Sequence, residues 1–145
     1  MKMKYSLVAF FVALAHTFYA QVKADDILGI WLTTGKEPAK IEIYKSGEKY
    51  FGKIVWLKNP INDNGPRVDV NNPDKKKRNR PIIGLTILTD FRFEKNDWDG
   101  GKIYDPESGN TYKCYLTLED NTTLNVRGYI GISLFGRTET WKRTK

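Results

Sequence analysis

The sequence predicts an all-β domain, an antiparallel, lipocalin-like up-and-down barrel of about eight strands. Short runs rich in Ile, Val, Thr and aromatic residues recur between turn residues along the chain. After the first two dozen residues no window carries apolar residues at helical spacing. The runs are joined mostly by hairpin-length connections, and a meander that closes on itself leaves no unpaired edge. A barrel of about eight strands holds side chains or one small ligand. A β-sandwich is the competing arrangement.

The N-terminus sets the compartment. Lys2 and Lys4 precede an almost unbroken apolar run from Ser6 to Ala15, and small residues follow at Ala20 and Ala24. That layout is a secretory signal peptide, too short in its apolar part to span a bilayer. Cleavage after Ala24 leaves Val22 and Ala24 at the two small-residue positions; cleavage after Ala20 puts Phe18 at the outer one. Residues 1–24 are therefore read as the signal and 25–145 as a single domain, periplasmic or secreted. The expected mature chain has no transmembrane segment.

The strands follow in order. Residues 29–34 (GIWLTT) form the first, closed by Gly35 and Pro38. Residues 39–45 (AKIEIYK) alternate apolar and polar and pair with 49–58 across Ser46-Gly47. In 50–57, Tyr50, Gly52, Ile54 and Trp56 share one face and Phe51, Lys53, Val55 and Leu57 the other. Both faces are largely apolar, so the outer one needs a cover, for which the long following loop is the favoured element. Residues 82–91 contain Gly84, expected as a bulge or close approach. A turn follows at Asn96-Asp97 or Gly100-Gly101, then a short strand at 102–105 and a turn through 105–109. Strands at 111–118, 122–131 and 136–143 complete the set.

Composition excludes much chemistry. Loss of residues 1–24 removes three of 24 basic residues and none of the 17 acidic ones, so net charge falls from +7 to +4. That is too diffuse for a nucleic-acid binder, and anionic envelope surfaces are the expected neighbours. The one histidine, His16, lies in the signal, so the mature chain is expected to lack imidazole chemistry and His-dependent metal sites. Cys114, the lone cysteine, reads as a small buried hydrophobe. No cofactor is implied. Asp97 with Asp99, and Asp105 with Glu107, are the pairs a carboxylate-based hydrolase would use, yet all four sit among turn residues.

The 22-residue connection from Asn59 to Arg80 is long for a compact domain. Asp69-x-Asn71 opens like a calcium loop, but Pro73, Asp74 and Arg80 occupy positions that need a ligand, a glycine and a glutamate. As a lid, the loop offers Asn71, Asn72, Asp74, Arg78 and Arg80, the arginines suited to a carboxylate or phosphate group. Aromatic residues that combine apolar area with polar tips add Trp31, Trp56, Tyr104 and Tyr112 as ligand-binding candidates. Arg127 completes the set, although Asn125 and Tyr129 share its face and point it to solvent. Arg137 or Arg143 is expected to lie over the Trp31 indole and seal one barrel end.

The Gly29-Ile30-Trp31 start, YFGKIVWL (50–57), DVNNPD (69–74) with RNRPIIGL (78–85), GGKIYDPESGNTY (100–112) and the stretch from Leu124 to Arg143 together resemble an exported bacterial family known as domain of unknown function 2147. The resemblance spans roughly residues 28–143. It implies a small lipocalin-like barrel outside the cytoplasm and no established activity, so no catalytic residue is carried over. The combined expectation is a binding module for a small amphipathic or anionic, lipid-like envelope ligand. Its rivals are a protein-interaction module of the envelope and a carboxylate-based hydrolase.

Overall fold

The computed structural model describes residues 20–144, so most of the expected signal peptide lies outside the described residues. Eight strands close into an antiparallel barrel: β1 (Gly29–Leu32), β2 (Ala39–Ser46), β3 (Lys49–Leu57), β6 (Thr86–Glu94), β7 (Asp97–Asp105), β8 (Asn110–Asp120), β9 (Thr123–Tyr129) and β10 (Gly136–Arg143). A separate two-stranded ribbon, β4 (Ile61–Asn62) with β5 (Gly65–Pro66), lies within the β3–β6 connection. Each barrel strand pairs with its sequence neighbour within this set, and β1 pairs with β10 to close the ring.

Register shifts in four of the strand pairs adjust which side chains face inward, each adding residues on one strand of a pair. Lys40 opposes Trp56 while Ile41 opposes Ile54, so Val55 is the extra residue. The strict alternation expected for residues 50–57 therefore breaks: Leu57 turns into the core and Trp56, 41% exposed, turns out. On β6, Asp90 takes φ 64°, and Leu88 and Phe91 both reach the interior. On β7, Trp98 opposes Leu116 and Gly101 opposes Cys114, so Asp99-Gly100 is a bulge within a strand. The turn before it falls at Lys95-Asn96, with φ 49° and 80°, the backbone of a two-residue type I′ hairpin.

The interior is filled. Trp31, Trp98, Trp141, Phe91, Leu88 and Leu116 are each at most 1% exposed. Gly101 has no side chain because a Cβ there would meet the Phe91 ring. Cys114 is fully buried, and burial together with the Asp99 charge pushes its thiol up to about 12. Outside, the apolar face of β3 is covered locally rather than by the loop: Tyr44 stacks on Phe51, and Lys40 and Lys53 lie over Trp56 and Tyr44.

The end of the barrel that carries the short turns is plugged. A 3-10 turn, Ala24–Ile27, drops Ile27 into the core. Its carbonyls accept from two indoles, Trp31 Nε1 to Ile27 at 2.9 Å and Trp98 Nε1 to Ala24 at 3.0 Å. Arg143 lies 4.2 Å from the Trp31 ring centroid and donates to the carbonyls of Leu28, Asp26 and Asn121. Arg143, not Arg137, is thus the arginine over the indole. Trp31→Ala should cost about 3–5 kcal/mol in chemical denaturation. Arg143→Lys should cost about 1–3 kcal/mol, because an ammonium cannot both stack and span three carbonyls. Losses well under ~1 kcal/mol in both variants would show that this plug does not hold the barrel closed.

Candidate functional site

Antiparallel alternation puts the connections 33–38, 58–85, 106–109 and 130–135 at the end opposite the plug. The 58–85 connection is an ordered strap. It pairs with itself at Val68 and Pro81 and forms a 3-10 turn at Lys75–Lys77, capped by the Asp74 side chain on the Lys76 N–H. Asn59 and Arg67 tie it to Glu37 in the β1–β2 loop. Asn71 donates to the carbonyls of Pro106 and Glu107 in the β7–β8 turn. Gly109, at φ 74°, presses so close to the Asn71 carbonyl that any Cβ would collide with it.

Asp69 is the strap's anchor. Fully buried, it accepts from Tyr104 Oη at 2.6 Å, Asn72 Nδ2 at 2.8 Å and Arg80 Nη2 at 3.0 Å. Burial pushes its pKa upward, but these three donors outweigh burial and hold the carboxyl below the usual range. Burial and the adjacent carboxylate in turn push the Tyr104 phenol up to about 12. Arg78 donates through Nε to the Asn72 carbonyl.

Asn71, Asn72, Asp74, Arg78, Arg80 and Tyr104 therefore lie in or against one assembly, each with at least one polar group holding the strap. Trp31 sits at the plugged end and Trp56 on the outer wall. Arg127 points outward and donates to the carbonyls of Ser133 and Leu134 and to Thr138 Oγ1, fixing the β9–β10 loop. Tyr112 faces the interior, opposite Ile103 on β7. Asp99 accepts from the Gly100 N–H, and Asp105 from the Glu107 N–H and the Ser108 hydroxyl. Among the described residues no three of His, Cys, Asp and Glu converge to hold a metal ion.

The interior wall at the strap end forms a second constellation. Ile103 and Tyr112 are half-buried, and a Cβ on Gly128 would stand 3.4 Å from Ile103 and 3.7 Å from Tyr112. Arg137 opposes Gly128 on the same face, with its side chain 84% exposed and paired to Glu139 at 2.9 Å. β1 stops at Leu32, so the first half of β10 has no barrel partner on that side. The result is an apolar shelf topped by a cation. Elsewhere, two hollows of about 340 and 380 Å³ open widely to solvent, one beside Lys45, Tyr50 and Phe93, the other beside Arg80, Ile83 and Leu85.

Sequence reasoning singled out Tyr112 as a ligand-binding candidate but did not group Ile103 and Gly128 with it. Ile103 and Gly128 look like ordinary strand residues, and only the register of three adjacent strands places them together. Asp69 was visible only as part of a failed calcium pattern. Its neighbours Val68 and Val70 give no hint of its burial, since Val70 is itself 59% exposed.

A family model described as "Uncharacterized protein conserved in bacteria (DUF2147)" matches residues 29–143. A solved Helicobacter pylori protein, HP1028, described as belonging to the lipocalin family, superimposes with a TM-score of 0.75 at 25% identity, covering 86% of this chain and 84% of that one. No curated protein matches the chain.

Asp69→Asn should destabilise the protein by about 2–4 kcal/mol near neutral pH, since it removes the charge that three donors surround. Because the folded-state pKa is lowered, this contribution is fully present above the unfolded value of about 4 and is lost as pH falls through the folded one. Denaturation of both proteins from pH 7 downward should show the gap narrowing in acid. A gap independent of pH would mean that the carboxylate charge is not what the strap uses.

Proposed function

The chain belongs to the DUF2147 family of bacterial proteins, and from that premise we propose that it is an exported binding module holding a small amphipathic, anionic molecule at the rim of a filled barrel. A lipocalin-like fold suggests a small ligand. The observation that carries the rest is the shelf of Ile103, Tyr112 and Gly128 beneath Arg137. An apolar tail can lie on the ring and the isoleucine while its headgroup competes with Glu139 for the guanidinium. The filled interior restricts such a ligand to partial burial, in contrast to a carrier that engulfs its cargo.

Export remains part of this reading, and packing favours one processing site. Val22 and Ala24 pack on the core, and the Ala24 carbonyl accepts from Trp98. Cleavage after Ala24 would discard all three contacts, whereas cleavage after Ala20 keeps them. The intact mass of protein recovered from the producing cells should correspond to a chain starting at Gln21; a start at Asp25 or an unprocessed chain would refute this.

The ligand reading is tested by titrating the purified protein calorimetrically with palmitate and with lysophosphatidylglycerol. Tyr112→Ala and Arg137→Gln should each weaken binding about tenfold, the loss of one good contact. No binding of either amphiphile, or affinities unchanged in both variants, would overturn the assignment.

A further inference from the structure

The large apolar side chains left exposed are unevenly distributed. Ile130, Ile132, Leu134 and Phe135 are 59–76% exposed on the β9–β10 loop, whose residues 128–136 contain no charge. The strap adds Ile61, Val70 and Ile83 at the same end. The turns at the plugged end, Gly47-Glu48, Lys95-Asn96 and Asn121-Thr122, have no large apolar residue. Charge follows the same asymmetry. The connection 58–85 carries seven basic residues against three acidic ones, and Lys75, Lys76 and Lys77 stand exposed on its 3-10 turn.

The β9–β10 loop also satisfies the carbonyls of its tip within the chain. The Ile130 N–H donates to the Phe135 carbonyl and the Phe135 N–H to the Ile132 carbonyl. Arg127 donates to the carbonyls of Ser133 and Leu134 from the base of the loop. Four successive carbonyls at the tip thus have donors within the chain, while the N–H groups of residues 131–134 stay available to headgroup oxygens, a pattern that suits the interfacial layer rather than the hydrocarbon centre. An exposed apolar loop and an exposed cationic turn at the same end of the barrel match the upper acyl layer and the headgroups of an anionic bilayer.

We propose that the strap end is a docking surface for an anionic lipid bilayer, with Ile132, Leu134 and Phe135 entering the interfacial layer and Lys75, Lys76 and Lys77 resting on phosphate headgroups. This does not depend on whether the rim shelf holds a small ligand. It gives the barrel an end-on orientation, plugged end outward.

Vesicle co-sedimentation of the chain from Gln21 tests it, since the apolar N-terminal run is then absent and residues 24–143 contain the whole barrel. The protein should pellet with phosphatidylglycerol–phosphatidylcholine vesicles and weakly with phosphatidylcholine alone. Ile132→Ser/Leu134→Ser/Phe135→Ser should lower partitioning by about tenfold or more. Lys75→Glu/Lys76→Glu/Lys77→Glu should abolish the preference for the anionic lipid, at about fivefold per cation removed. Amide exchange of residues 130–135 in the unaltered protein should slow when anionic vesicles are added, a readout that needs no variant. The proposal fails if the protein stays in the supernatant with both vesicle types or if the serine variant pellets equally. It also fails if the protein is a dimer that the serine substitutions make monomeric, which would assign the loop to contact between copies.

Discussion

The barrel closes through its weakest seam, and one arginine compensates for it. β1 meets β10 at two residue pairs, Trp31 with Arg143 and Leu32 with Lys142, whereas β10 meets β9 at seven. Arg143 adds what the short ladder lacks. It covers the Trp31 indole and gathers carbonyls from the N-terminal turn, from the residue before β1 and from the β8–β9 turn. Two sequence-distant segments, residues 26–28 and the β8–β9 turn, are thereby fixed to one planar cation, whose fork geometry suits several acceptors at once. The buried tryptophans behind it extend the same closure: Trp31 and Trp98 each bond the 3-10 turn that plugs this end.

Because one end is sealed by packing, the other is free to differ. There the chain spends a buried carboxylate, Asp69, to hold a strap against Tyr104, and uses asparagine and glycine to seat it on the β7–β8 turn. The polar residues of the strap face inward on one another, while its lysines and the apolar β9–β10 loop remain exposed. Arg127 repeats, on the outer wall, the device used by Arg143 at the plug: a guanidinium organising carbonyls that no strand would satisfy. A filled interior, a half-exposed shelf and a loop end carrying apolar and basic groups together are the basis for proposing recognition at the rim.

Much of the fold was legible in the sequence. Alternation, turn residues and the order of the runs give eight strands and a closed meander, because period and turn chemistry are local properties. Cys114 as a buried hydrophobe and an arginine over Trp31 follow from composition and strand order. Trp56 did not follow. Its face was assigned by parity, and a single extra residue at Val55 reverses parity beyond that point. Gly100-Gly101 looked like a turn for a similar reason: a bulge and a turn use the same residues, and only pairing on both sides distinguishes them.

The candidate site divides along the same line. The sequence by itself determined that the strap is polar, basic and too long to be a simple turn, and that Arg127 faces outward. The tertiary structure alone decided what those groups do. It turned Arg80 and Tyr104 toward a buried Asp69, and it set Ile103, Tyr112, Gly128 and Arg137 side by side from four strands. Local chemistry fixes what a residue is able to do; which partners it meets depends on strand register and closure, and those are settled only when the whole ring forms.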